Sequence, residues 1–107
     1  MEYRRLGNSG LEVSVVGLGG NNFGMNLGVD GMPIRADEKQ SIRVIDAALE
    51  AGVTFIDTAN EYGDSELFVG RALKGKRDKV ILASKFGIRV GPGPGDYGGS
   101  RKHMMEQ

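Results

Sequence analysis

Short apolar runs alternate with helical patterns along the middle of the chain. Three apolar runs predict buried strands, at 15–20, 53–56 and 80–84. Between these runs, apolar side chains recur every three or four positions, which predicts one helix that begins at Asp37 and a second that begins at Asp64. The order of strand, helix, strand, helix, strand predicts right-handed parallel βαβ units in an α/β fold.

Both ends of the chain carry turn signals. Residues 3–6 and 11–15 are extended candidates separated by Gly-Asn-Ser-Gly, which predicts an N-terminal hairpin. Towards the other end, 91–99 reads GPGPGDYGG and predicts turns, after which Ser100 is placed to cap a third helix. Because three parallel strands leave two open edges, the chain is typical of the first part of a larger sheet or barrel.

One connection is longer than its position requires. The βα connection at 21–36 exceeds the usual 2–6 residues, which indicates a functional loop. Its apolar side chains are expected to form part of a ligand-pocket wall.

Composition and charge exclude several classes of protein. The 14 basic and 14 acidic residues cancel, which argues against nucleic acid or an anionic membrane as a partner. The absence of cysteine and the single histidine argue against a zinc or cysteine-ligated metal site. No run approaches 18 apolar residues, and no signal-peptide pattern follows Met1. We therefore expect a cytoplasmic protein with neither a metal site nor a membrane partner.

Three residues stand out as candidate chemistry. Asp57 and Lys85 follow consecutive predicted strands, and Tyr62 lies in the loop between them, at the edge where α/β folds place their sites. A cation about 4 Å from a phenol favours the ionised form by about 4 kcal/mol at an effective dielectric of about 20. A tyrosine in this setting could act as a general acid towards a carbonyl oxygen. The alternative is an Asp57–Lys85 ion pair at the strand ends with Tyr62 packed in its loop.

A resemblance adds to this picture. The segment 53–63, VTFIDTANEYG, resembles the signature of the aldo-keto reductase family, in which a strand ends in Asp-Thr-Ala and a Tyr-Gly follows. Further matching stretches, in the same order as in the family, are YRRLG at 3–7 with SGL at 9–11, GLG at 17–19 with FG at 23–24, and ASKFG at 83–87.

The resemblance implies a fold and an activity. The fold would be a (β/α)8 TIM barrel, of which 1–107 would be the N-terminal part of a single domain: a hairpin and the first three βα units, an incomplete barrel. The activity would be NAD(P)H-dependent reduction of aldehydes or ketones to alcohols, with a small-molecule carbonyl substrate, NADPH as cofactor and NADH as the alternative. By the same resemblance Tyr62 is the proton donor, Lys85 and Asp57 make its phenol more acidic, and Asp57 also lies near the nicotinamide ribose.

The sequence also departs from the family pattern. A barrel of this type needs about 250 residues, and the family's catalytic histidine and main cofactor loops come after later strands. The isolated chain is therefore expected to be inactive, with its outer strands covered by the remainder of the barrel or by self-association. The alternative function is a non-catalytic fragment or interaction module, like the channel subunits related to this family. His103 is expected to be an exposed helical residue rather than a catalytic one.

The end of the first strand is a second departure. Gly20 stands where the family often has threonine, so a cofactor could contact its backbone but not a side-chain hydroxyl. Asn21 could hydrogen-bond the cofactor amide or substrate, or it could be a turn residue. Gly20, Asn21 and Asp57 are the cofactor-binding candidates.

Overall fold

The computed structural model describes residues 1–24, 36–88 and 91–107. Most of the long connection singled out above therefore lies outside the described residues. The elements in chain order are β1 (Tyr3–Arg5), β2 (Glu12–Ser14), β3 (Leu18–Gly19), α1 (Glu38–Glu50), β4 (Phe55–Asp57), α2 (Ser65–Ala72), a 3-10 turn (Arg77–Lys79), β5 (Ile81–Ala83) and α3 (Arg101–Glu106).

The predicted N-terminal hairpin is confirmed. Strands β1 and β2 are antiparallel, with Arg4 opposite Val13. The hairpin is fastened below the main sheet by reciprocal hydrogen bonds, in which Ser14 N donates to Thr54 Oγ1 at 3.0 Å and Thr54 N donates to Ser14 Oγ at 2.9 Å. Because Thr54 immediately precedes β4, the hairpin covers the N-terminal end of the parallel strands.

The main sheet has three parallel strands in the order β3-β4-β5. Ile56 of the central strand is fully buried in one core cluster with Ile45 of α1 and Val69 of α2. Since side chains alternate along a strand, Phe55 and Asp57 point to the opposite face of the sheet. The helices therefore cover one face, and the described residues form a hairpin with parallel βα units but no closed barrel.

The helix starts agree with the sequence, with one difference in detail. At α1 the predicted capping box is present: Asp37 Oδ1 accepts from Gln40 N at 2.8 Å, and the Gln40 side chain accepts from Asp37 N at 3.4 Å. At α2 the cap residue is Asp64, as predicted, but its side chain makes no capping hydrogen bond. At α3 the Ser100 hydroxyl accepts from the backbone N–H of the third residue.

The prediction that His103 is exposed is wrong. Its side chain is completely buried, and its ring lies 6.2 Å from the Phe86 ring. The cause is tertiary: the glycine-rich segment turns back on the end of β5, where Gly98 N donates to Gly87 O at 2.8 Å, and this brings α3 onto Phe86. Neither ring nitrogen of His103 has a hydrogen-bond partner within the described parts of the chain.

Candidate active site

Two adjacent strand ends position the first two candidate residues. Asp57 is the last residue of β4, and Lys85 comes two residues after β5. The parallel pairing continues beyond the strands, because Thr58 N donates to Ala83 O at 2.8 Å and Asn60 N donates to Lys85 O at 3.3 Å. This continuation holds the backbone of Lys85 beside the segment that follows Asp57.

The Lys85 ammonium group is held by two acceptors. Nζ donates to Asp57 Oδ2 at 2.6 Å and to the backbone carbonyl oxygen of Thr58 at 2.9 Å. The hydrogen bond that Lys85 donates to Asp57 is the main cause that raises the pKa of Lys85, and Tyr62 adds a smaller contribution in the same direction. Both side chains of the ion pair are 47% exposed. Lys85 is therefore a fixed cation at an open edge of the sheet.

Tyr62 lies against this cation. Lys85 Nζ is 5.1 Å from the centroid of the Tyr62 ring. The tyrosine backbone is fixed at both of its polar groups, since its N–H donates to Ala59 O at 3.2 Å and its carbonyl accepts from Ser65 N at 3.0 Å. The structure thus brings Asp57, Tyr62 and Lys85 together. The Asp57–Lys85 ion pair of the alternative also forms, and Tyr62 lies beside it in its loop.

Gly20 joins the end of β3 to the site. Its N–H donates to Asp57 O at 2.7 Å, and its carbonyl accepts from Ser65 Oγ at 2.7 Å and from Phe23 N at 3.1 Å. A Cβ at position 20 would lie 2.8 Å from Ser65 Oγ and 3.0 Å from Asp57 O, closer than van der Waals contact allows. With the present packing, a side chain at position 20 would therefore force Ser65 or its neighbours to shift. Asn21 follows directly and is exposed.

Two residues of this arrangement were not predicted as part of the site. Thr58 contributes its carbonyl to Lys85, and Ser65 contributes its hydroxyl to Gly20. Their side chains also join each other, with 2.8 Å between Thr58 Oγ1 and Ser65 Oγ. A sequence signal that could have identified them is a glycine at the end of one strand, a hydroxyl residue after the next strand and a second hydroxyl residue at the start of the following helix.

The described residues show no candidate metal-binding group and no candidate membrane-spanning helix. The described parts of the chain contain no group of three or more histidine, aspartate or glutamate side chains placed to share a metal ion. In the same parts, no helix has the length and the apolar character needed to cross a membrane.

Comparison with known proteins agrees with this geometry. A hairpin below parallel βα units, with Asp, Tyr and Lys at the carboxyl edge, defines the class, and the family model described as "Aldo/keto reductase family" matches residues 15–107. The chain belongs to the aldo/keto reductase family. The expected fold class is confirmed.

Individual relatives show how much of a longer protein the chain resembles. It is 47% identical over 89 residues to the aldo-keto reductase YhdN of Bacillus subtilis, covering 79% of this chain and 25% of that protein. It superimposes with a TM-score of 0.68 on the holo form of aldo-keto reductase AKR11C1 from Bacillus halodurans, at 41% identity, covering 88% of this chain and 28% of that one. It is also 34% identical to a probable voltage-gated potassium channel subunit beta of Arabidopsis thaliana, over 99% of this chain and 31% of the relative. The chain thus spans about a quarter to a third of the length of these proteins.

Proposed function

We propose that residues 1–107 are the N-terminal part of a single (β/α)8 domain that reduces the carbonyl group of an aldehyde or ketone to an alcohol, with NADPH as cofactor and NADH as the alternative. The observation that carries the proposal is the position of Lys85 Nζ, hydrogen-bonded to Asp57 at 2.6 Å and 5.1 Å from the centroid of the Tyr62 ring. A cation fixed beside a phenol favours proton release from that phenol.

The proton would come from Tyr62. As hydride adds to the carbonyl carbon, the C=O π electrons move to oxygen, and that oxygen takes the phenolic proton to give the alcohol. Tyr62 is left as a phenolate, which Lys85 stabilises until solvent returns a proton. Asp57 acts on Lys85 rather than on the substrate, because its carboxylate keeps the ammonium group charged and oriented.

The residues present are compatible with a nicotinamide cofactor. The bound cofactor supplies the hydride. The Asp57 carboxylate is about half exposed beside Lys85, and an exposed carboxylate oxygen can accept a hydrogen bond from a ribose hydroxyl. Asn21, two positions beyond the Gly19–Asp57 pairing, carries an amide suited to a polar contact. Gly20 has all its backbone hydrogen-bonding groups engaged inside the protein, so in this proposal it sets the position of Asn21.

The open edges of the sheet indicate the partner. Among the described strands, β3 and β5 each pair only with β4. The unpaired backbone N–H and C=O groups of such an edge can hydrogen-bond to a further strand. Phe86 and Ile88, just past β5, are 42% and 50% exposed. We propose that the remainder of the barrel covers this edge, or a second copy does when the chain is alone. A cytoplasmic location and the lack of a nucleic-acid or membrane partner stay predictions from the sequence.

The test uses the complete protein that carries this segment. We expect NADPH-dependent reduction of a model aldehyde and, in a titration followed by nicotinamide fluorescence, tight binding of NADPH. Tyr62→Phe should abolish reduction and leave cofactor binding nearly unchanged, because only the phenolic proton is lost. Tyr3→Phe, which alters a phenol in the hairpin that donates to Gly52 O, is the matched control and should retain activity. A Tyr62→Phe rate within about tenfold of the parent, a barrier change below about 1.4 kcal/mol, would refute the role of Tyr62.

A second candidate function is a non-catalytic interaction module. The observation in its favour is the likeness to the potassium channel subunit, which extends over 99% of this chain. The same titration separates the two proposals. NADPH binding with turnover supports the reductase, whereas no binding and no turnover in a folded protein supports the module.

A further inference from the structure

We propose that Ser65 and Thr58 are positioning residues for the reduction, because their hydroxyl pair fixes the placement of Tyr62 relative to Lys85. This inference rests on the proposed function and deepens it. The observation that supports it is a set of buried hydrogen bonds that links Gly20, Ser65 and Thr58 next to the candidate catalytic residues.

The chain of hydrogen bonds has one consistent direction. The Ser65 hydroxyl donates its proton to Gly20 O at 2.7 Å. Since that proton is used, the 2.8 Å contact between Ser65 Oγ and Thr58 Oγ1 has Thr58 as donor. Thr58 is 1% exposed and Ser65 is fully buried. A buried hydroxyl that loses its partner is costly, so the pair holds one arrangement.

The backbone of Thr58 is hydrogen-bonded to Lys85, and the backbone of Ser65 is hydrogen-bonded to Tyr62. The Thr58 carbonyl accepts from Lys85 Nζ at 2.9 Å. The Ser65 backbone N–H donates to the Tyr62 carbonyl at 3.0 Å. One contact therefore orients the cation and the other closes the loop that carries the phenol, and the Thr58–Ser65 bond joins them.

The Ser65 hydroxyl is not used as an ordinary helix cap. Ser65 is the first residue of α2, and the cap position before it is Asp64. A capping hydroxyl accepts from a backbone N–H of the first helical turn. The bonds of the Ser65 hydroxyl go instead to Gly20 O and Thr58 Oγ1, which are both residues at strand ends beside the site.

A matched pair of variants at position 58 tests the inference in the complete protein. Thr58→Val keeps the branched shape and removes the hydroxyl, whereas Thr58→Ser keeps the hydroxyl. We measure single-turnover hydride transfer to a model aldehyde against pH, normalised to the fraction of protein that binds NADPH, together with the thermal midpoint. Lys85 lies 5.1 Å from the centroid of the Tyr62 ring and is paired with Asp57, so Lys85→Met is measured beside the two variants as a reference.

We expect Thr58→Val to slow hydride transfer by about tenfold and to move the midpoint of the rate–pH curve in the same direction as Lys85→Met, by less. Thr58→Ser should stay within about twofold of the parent rate, and NADPH affinity should be unchanged in both. Ser65→Ala should match Thr58→Val, and where it fails to fold the position-58 pair carries the test alone.

The opposite results are equally clear. A Thr58→Val protein with a lower thermal midpoint but an unmoved rate–pH curve and a parental normalised rate would show that the hydroxyl pair is merely structural, and the inference would be overturned. Equal slowing by Thr58→Ser would also overturn it, since that variant retains the hydroxyl. If Lys85→Met itself changes neither the rate nor the curve, the proposed function fails rather than this inference.

Discussion

Replacement of Lys85 by methionine probes the electrostatic part of the site. The substitution removes the charge and keeps an unbranched side chain of similar length. Two unit charges separated by 5.1 Å, the distance from Lys85 Nζ to the centroid of the Tyr62 ring, interact by about 3 kcal/mol at an effective dielectric of about 20 and by about 0.8 kcal/mol in water. Because the Lys85 side chain is 47% exposed, solvent screening reduces the effect, and we take about 1 to about 3 kcal/mol.

This range of lost interaction energy determines how much Lys85→Met should slow hydride transfer. If the lost attraction is expressed fully in the transition state, Lys85→Met slows hydride transfer by about 5-fold to about 150-fold. The dependence of the rate on pH should also change, because the substitution removes a charged group that lies next to the proposed proton donor. The parent Lys85 itself, whose pKa is raised from 10.5 chiefly by Asp57, stays protonated through the neutral range.

The assay is single-turnover reduction with NADPH bound, followed by loss of nicotinamide absorbance between pH 6 and pH 10, in wild type and variant. Lys74→Met, which neutralises an exposed lysine just after α2, is the control and should behave like the parent. A Lys85→Met enzyme with the parental rate and an unmoved curve would refute the reasoning, because the fixed cation would then have no effect on the proton donor.

Three further predictions concern stability and local structure. Gly20→Ala should lower the free energy of unfolding by about 1–3 kcal/mol, since its Cβ would lie 2.8 Å from a buried oxygen; an unchanged urea midpoint contradicts this. Asp37→Ala should cost about 1 kcal/mol through loss of the cap, whereas Asp64→Ala, which removes no capping bond, should cost much less in the same titration. The hydrogen bond that Gly93 N–H donates to Asp96 lowers the pKa of this carboxyl group from 3.8. The stability that this bond contributes is present above the pKa of the unfolded state and is lost as the pH falls through the pKa of the folded state. A chemical shift of the Gly93 amide that titrates at or above pH 3.8 contradicts this prediction.

Much of the fold could be predicted because local pattern and tertiary environment agree. The apolar run before Asp57 forms a strand whose Ile56 packs against both long helices, and the capping box at Asp37 is a purely local signal. The proximity of Asp57 and Lys85 also follows from sequence, since carboxyl ends of adjacent parallel strands meet at one edge.

The features that were missed depend on contacts distant in sequence. His103 is polar and occupies a short helix, so local pattern gives it an exposed position, yet the return of the glycine-rich segment to Gly87 buries it. Ser65 shows only as a helix start in the sequence. Its role at the site depends on Gly20, 45 positions earlier, whose lack of a side chain leaves room for the serine hydroxyl.

The central claim is that Lys85 and Tyr62 act as one proton-transfer unit, and the double variant Tyr62→Phe with Lys85→Met tests it most directly. The measurement is the single-turnover rate of hydride transfer in the parent, both single variants and the double variant, with NADPH affinity measured alongside. Once the phenolic proton is gone, the charge of Lys85 has no acid left to assist, so the double variant should be no slower than Tyr62→Phe alone within about threefold. Rate losses that multiply, with the double variant slower than Tyr62→Phe by the full Lys85→Met factor, would contradict the account.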